Sequence, residues 1–329
     1  MIMTKLQKIL SGFIVLQVAL VAVVFWPRGT AVSEAGPLFS NLDIASIQRI
    51  TIAGESGESL EFVRQGEAWI VPEAGDYPAN DTSLEEMVTN LSAIQTNRLI
   101  ARTPDSHSRL QVADDDFLRR VTLTRNDGTV ETLFVGSTAA GQETHVRRGG
   151  EDETYLTNAV QSWQINPQIS SWIDTAYVSL TAPEVNRVAV ENDNGRLEFT
   201  RVSESEWEFD GLAEGEVFNQ TAFNTMLNQI VNLRMSQPLG TVADTSYGLD
   251  TPQATVSLFT DDDTFALLVG ATDEEASSTT VKWSGSDYYA AVSSFSVESL
   301  PTYVPADFVQ APTPTPTPET EIATPTPEG

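Results

Sequence analysis

An α+β fold is predicted: two tandem copies of a mostly antiparallel β-β-β-α-β-β-β-β unit, set behind an N-terminal transmembrane helix. Two amphipathic stretches point to the duplication, because Leu84, Met87, Val88, Leu91 and Ile94 reappear at the same spacing as Phe223, Met226, Leu227, Ile230 and Leu233. Alternating apolar runs with Gly-containing turns flank both stretches, the pattern of half-buried antiparallel hairpins. The third observation is the apolar run from Ile9 to Trp26, interrupted only by Ser11, Gly12 and Gln17.

As a helix that run reaches about 27 Å at ~1.5 Å per residue, close to a bilayer core. Lys5 and Lys8 precede it. The positive-inside bias therefore makes residues 1–8 cytoplasmic, 9–26 a single transmembrane span and everything beyond Trp26 extracytoplasmic. Cleavage of a signal peptide after Ser33-Glu34-Ala35 is the alternative, and it would release a secreted protein starting at Gly36. Residues 27–40 read as a linker.

Repeat 1 spans 41–176 and repeat 2 spans 177–310. Each opens on a hairpin: Arg49 to Ile52 returns as Leu60 to Phe62, and Arg187 to Val190 returns as Leu197 to Phe199. Trp69 and Trp207 follow on short third strands, and two tryptophans at one structural position read as core. Thr82 with Glu85 forms a capping-box pattern at the first helix, and Asn219 or Thr221 suits the second. Burying the five apolar side chains of one helix is worth on the order of 7–15 kcal/mol gross, so each helix needs a sheet beneath it. Strands at Val121 to Thr124 and Leu133 to Val135 follow, joined by Asp127-Gly128, and their counterparts at Val256 to Leu258 and Ala266 to Val269 are joined by Asp261-Asp262-Asp263. Two more strands per unit carry Val146 and Tyr155, then Val281 and Tyr289. Trp172 and Phe308 plug the ends. The Thr-Pro repeats of 311–329 favour polyproline geometry and pack against nothing of their own, the composition of a disordered tail.

The formal charge is −28, with lysine only at positions 5, 8 and 282. Phosphate-backbone binding needs clustered cations, so nucleic acid is excluded as a partner. With no cysteine, disulfides, thiolate zinc sites, thiol catalysis and a lipidated-Cys anchor are excluded. Two histidines, His107 and His145, and no nucleophile elbow, Walker loop or His-Glu-x-x-His leave no catalytic set. The runs Asp114-Asp115-Asp116 and Asp261-Asp262-Asp263 lack EF-hand spacing, and the second sits where a hairpin needs a turn. No catalytic, cofactor-binding or metal-ligating residue is assigned, and no cofactor.

Several local patterns resemble the DUF4340 family of membrane-associated proteins. They are Trp69 with Pro72, Tyr77-Pro78-Ala79-Asn80 before the first helix, Tyr247-Gly248-Leu249-Asp250 with Pro252, and the strand ends Phe134-Val135-Gly136 and Leu268-Val269-Gly270. The resemblance covers about 41–310 and departs at Leu110-Gln111-Val112, where the Tyr-Gly-Leu pattern is degraded. It implies an N-terminal membrane helix, a repeated extracytoplasmic α+β domain and, in some members, association with export-type ABC transporter components. The expected function is a non-enzymatic, single-pass envelope scaffold that binds protein partners. The alternative is an envelope polysaccharide-binding or -hydrolysing protein using paired carboxylates.

Overall fold

The computed structural model describes residues 35–310. The span 9–26, residues 27–34 of the linker and the tail 311–329 lie outside the described residues. Among the described residues no helix is long and apolar enough to cross a membrane.

Strand alternation builds a first sheet, entirely antiparallel. Strands β1 (Ile47–Gly54) and β2 (Ser59–Gln65) pair Ile50 with Phe62 and Ile52 with Leu60, putting all four side chains into the core. Strands β3 (Ala68–Val71) and β4 (Tyr77–Pro78) extend that edge before helix α1 (Asp81–Ser92). Then come β5 (Leu99–Ala101), the one-turn helix α2 (His107–Leu110), β6 (Arg119–Arg125), β7 (Val130–Thr138), β8 (Thr144–Arg148) and β9 (Thr154–Thr157). The spatial order is β4-β3-β2-β1-β6-β7-β8-β9-β5.

The second sheet contains β10 (Arg187–Asn192), β11 (Gly195–Arg201), β12 (Trp207–Phe209), then helix α3 (Gln220–Val231), β13 (Met235–Pro238), β14 (Ala254–Phe259), β15 (Thr264–Asp273), β16 (Ser278–Trp283) and β17 (Tyr289–Ser293). Its order is β12-β11-β10-β14-β15-β16-β17-β13, also antiparallel throughout. The protein is therefore a β-rich α+β fold of two sheets with few helices.

Each sheet has more strands than the eight-element unit predicted. The additions are β4 beside β3, and β5 and β13, which pair with the last strands β9 and β17. All three are short edge strands of two to four residues, two of them carrying proline, which an edge tolerates because one side makes no ladder bonds. Their partners are distant in sequence, as with Leu99 opposite Tyr155, so local alternation carries no trace of them.

The cap of α1 lies two residues before the predicted capping box: Asn80, rather than Thr82 with Glu85, accepts from Ser83 N at 3.1 Å, and Asp81 beside it accepts from Trp69 N at 3.1 Å. Asn219, one of the two residues expected to cap α3, does so by accepting from Ala222 N at 3.2 Å, and Gln220 accepts from Trp207 N at 3.2 Å. The buried face of α3 lays Phe223 against Phe199 and Trp207, with ring centroids 4.7 and 4.5 Å apart. Leu84, Met87, Val88 and Leu91 form the buried face of α1. Leu38 and Phe39, at the end of the segment read as a linker, are buried in the same core.

Both sheets carry a β-bulge at one place, after Val135 in β7 and after Val269 in β15. The next residues, Gly136 and Gly270, lie directly beneath passing backbone: a Cβ on either would stand within 3.0 Å of the Leu110 or the Tyr247 carbonyl oxygen. In the passing segments Gln111 (φ 57°) and Gly248 (φ 65°) both take the left-handed conformation, so the degraded Leu110-Gln111-Val112 pattern keeps the backbone path of Tyr247-Gly248-Leu249. Because a carbonyl of an anchored segment cannot retreat as a flexible side chain would, Gly270→Ala is expected to lower stability by about 1–3 kcal/mol. An unchanged urea midpoint would refute the close approach.

Candidate functional site

The residues that first invite a chemical role are engaged structurally. His107 donates from Nε2 to the Asp152 carbonyl at 2.9 Å. His145 Nδ1 lies 2.7 Å from the Ser137 carbonyl oxygen and 3.2 Å from its hydroxyl. A nitrogen that donates to a carbonyl carries the proton itself and cannot take one from serine, and the Ser137 hydroxyl donates to Leu110 O at 3.2 Å. Arg147, 3% exposed, runs beneath the first aspartate run, with its guanidinium 2.5 Å from Asp114, 2.7 Å from Val112 O and stacked 4.4 Å over Phe134. Asp261 accepts from Asn186 at 2.6 Å, and Asp263 closes the β14–β15 turn on Thr260. Among the described residues no group of three His, Cys, Asp or Glu is placed to hold a metal ion.

Carboxylates also meet without a cleft. Burial, and then the nearby Glu61, push the Glu73 carboxyl above its usual range, and Glu61 itself is held by Arg49 at 2.6 Å. Neither lines any of the cavities described below.

A cavity of about 390 Å³ lies between α1 and the segment that follows β9. Ser83, Glu86, Met87 and Asn90 form the helical wall, and Val160 to Asn166 with Trp172 form the other. Local bonds fix that second wall. Gln161 N donates to Gln164 Oε1 at 2.8 Å, while the Gln161 side chain accepts from Thr144 at 2.9 Å and donates to Gln142 O at 2.6 Å. The short 3-10 turn Ser162–Gln164 is thereby held with Trp163 pointing outward, 73% exposed. Trp172 is the floor: its indole donates to Asn166 O at 2.6 Å and its ring meets Phe62 edge-on at 5.7 Å. Glu86 is the only ionisable side chain in the lining.

A 3-10 turn of the second sheet, Ser294–Ser296 directly after β17, presents Phe295 at 75% exposure. There Gln229, three residues after Met226, donates to the Phe295 and Ser296 carbonyls at 3.3 and 2.9 Å and straps the turn to α3. Asn90, three residues after Met87 and one methylene shorter, lines the open groove instead. A smaller opening of about 260 Å³ lies where Tyr77, Asp174 and Tyr288 meet.

Trp163 escaped the sequence reading because it belongs to no periodic run. Its one signal is a large aromatic among polar residues, Gln161-Ser162-Trp163-Gln164, immediately after a strand. Single exposed hydrophobics are ordinary, so only the adjoining cavity gives this one meaning.

The family model described as a domain of unknown function, DUF4340, matches residues 69–252, from β3 of the first sheet to the residues before β14 of the second. No curated protein and no solved structure matches the chain. An exposed Trp163 and a buried Trp172 make opposite predictions for stability. Trp163→Ala is expected within about 0.5 kcal/mol of the parent and Trp172→Ala about 3–5 kcal/mol below it, both by urea denaturation. Equal losses would mean that Trp163 is structural.

Proposed function

The chain belongs to the DUF4340 family, and from that premise we propose that it is a single-pass membrane protein whose extracytoplasmic body binds and scaffolds partners without breaking bonds. Ile9 to Trp26 is the anchor, with Lys5 and Lys8 on the cytoplasmic side. The body is one unit written twice, 41–176 and 177–310. The same strand order around the helix, the paired Trp69 and Trp207, the paired caps Asn80 and Asn219, and the bulges at Gly136 and Gly270 support that duplication.

The groove beneath Trp163 carries the binding reading. It offers an exposed indole, apolar walls and several amides, the mixture of anchor and orienting groups typical of recognition surfaces. A lone carboxyl, Glu86, is not the pair that glycoside hydrolysis uses. Proteins of the envelope, including the transporter components that the family resemblance implies, are the proposed partners. The second reading is polysaccharide binding, favoured by the same exposed Trp163, which would stack on a sugar face, with Asn90, Gln164 and Asn166 beside it.

A photo-crosslinking amino acid at position 163, activated in native membranes, tests this. The docking reading expects one discrete protein adduct that the same group at the exposed hairpin residue Val130 does not form. A glycan adduct would favour the second reading. Equal adducts at both positions would overturn the groove as a docking site.

A further inference from the structure

The smaller opening, about 260 Å³ in volume, lies where residues of both sheets' structures meet and is lined by Tyr77 to Asn80, Asp174, Ser286 and Tyr288. Drug-sized sites run to ~300–1,000 Å³, so this one suits a small group. Tyr77 and Tyr288, both half-buried, meet edge-on with centroids 4.7 Å apart and planes at 70°, which gives the opening two aromatic walls set nearly at a right angle. An aromatic face carries the negative end of a quadrupole and attracts cations.

The charge around these rings favours the same sign of ligand. Burial and then Asp174 push the Tyr77 phenol up, and burial and then Asp76 and Asp287 push up that of Tyr288, so both rings stay neutral with carboxylates close by. Asp76 and Asp174 pair with no arginine or lysine among the described residues. No basic side chain lines the opening. Lys282, nearby, is already engaged, donating to Ser286 O at 2.5 Å and lying 4.8 Å over the Tyr289 ring, with Asp287 to offset its charge. Asp81 in the first turn of α1 answers the positive helix end that Asn80 caps.

Hydrogen bonding narrows the ligand further. The Tyr77 and Tyr288 hydroxyls donate to Asp174 O at 3.4 Å and Asp76 O at 3.2 Å, Ser286 Oγ accepts from Tyr288 N at 3.2 Å, and Asn80 Oδ1 is spent on the cap. A primary ammonium brings three N–H donors and meets acceptors that are already taken. A fully methylated ammonium brings none and asks only for ring faces and a counter-charge. We propose that this opening binds a small quaternary ammonium group, with Tyr77 and Tyr288 against its methyls and Asp174 as its counter-ion. The surrounding carboxylates disfavour a phosphodiester attached to that head, so its source is a free ammonium compound rather than a lipid.

Saturation-transfer NMR on the full-length protein, in a maltoside detergent that carries no ammonium head, tests this with choline and with its uncharged isostere, in which carbon replaces the nitrogen. Choline is expected to bind about tenfold or more tightly than the isostere. Asp174→Asn keeps an oxygen to accept from Ala176 N, now at 2.9 Å, while removing the charge. It should weaken choline about threefold or more with an unchanged urea midpoint. Tyr288→Phe should retain choline and Tyr288→Leu should lose it. Equal binding of choline and the isostere overturns the proposal, as does choline binding indifferent to both Asp174→Asn and Tyr288→Leu. Glycerophosphocholine binding more tightly than choline overturns the free source and assigns the head to a lipid.

Discussion

The six residues from Trp172 to Tyr177 are bonded to both sheets' structures at once, and the arrangement of the molecule follows from that. The Trp172 carbonyl accepts from Asn80 N at 2.6 Å, closing the start of α1. Three residues later the Thr175 carbonyl accepts from Met235 N, and Tyr177 N donates to Leu233 O, each at 2.9 Å, fixing the exit of α3 and the edge strand β13. The Tyr177 hydroxyl then donates to Tyr288 O at 2.7 Å and accepts from Trp283 N at 3.0 Å, and burial pushes that phenol up to about 12. A connection whose polar groups are engaged on both sides has no slack to act as a hinge. Close approach elsewhere reinforces it. A Cβ on Gly75 would stand 2.6 Å from Gly240 Cα, and Tyr288 donates to Asp76 O at 3.2 Å while its ring meets Tyr77 at 4.7 Å.

This constraint reaches the candidate site. Trp172 is at once the acceptor that closes α1 and the floor of the groove under Trp163, so a ligand there rests on a residue that the junction already immobilises. Preorganised walls lower the ordering cost of binding. Arginine does much of the remaining fastening. Arg125 pairs with the buried Glu131 at 2.7 Å, and Arg201 stacks on Trp207 while donating to Ala182 and Val185 carbonyls. The planar, multidentate guanidinium ties loops to strands in a way an ammonium does not, in keeping with a body whose only lysine is Lys282.

Much of the fold was legible because its signals are local. Ile50 and Ile52 opposite Phe62 and Leu60, the two helices with their shared spacing, and the Asp127-Gly128 turn all announce themselves within a few residues. What escaped depends on distant chain. Strands β5 and β13 exist only through β9 and β17, and Asp81 at the start of α1 is tied to Trp69, twelve residues back. Gln111 adopts a glycine-like conformation because Gly136 below admits the passing backbone. At the site, the histidines and aspartate runs drew attention by residue type, whereas Trp163 needed the cavity beside it to be noticed. The span and the tail were read from composition alone.

The central claim is that the Trp172–Tyr177 connection makes the two sheets one cooperative body. Hydrogen exchange followed by mass spectrometry across rising urea tests it most directly, because it reports the opening free energy of each strand separately. The central strands β1 and β10 should converge on one opening free energy with one denaturant dependence, and Tyr177→Phe should lower both together. Separate free energies, or a Tyr177→Phe effect confined to β10 and its neighbours, would contradict it.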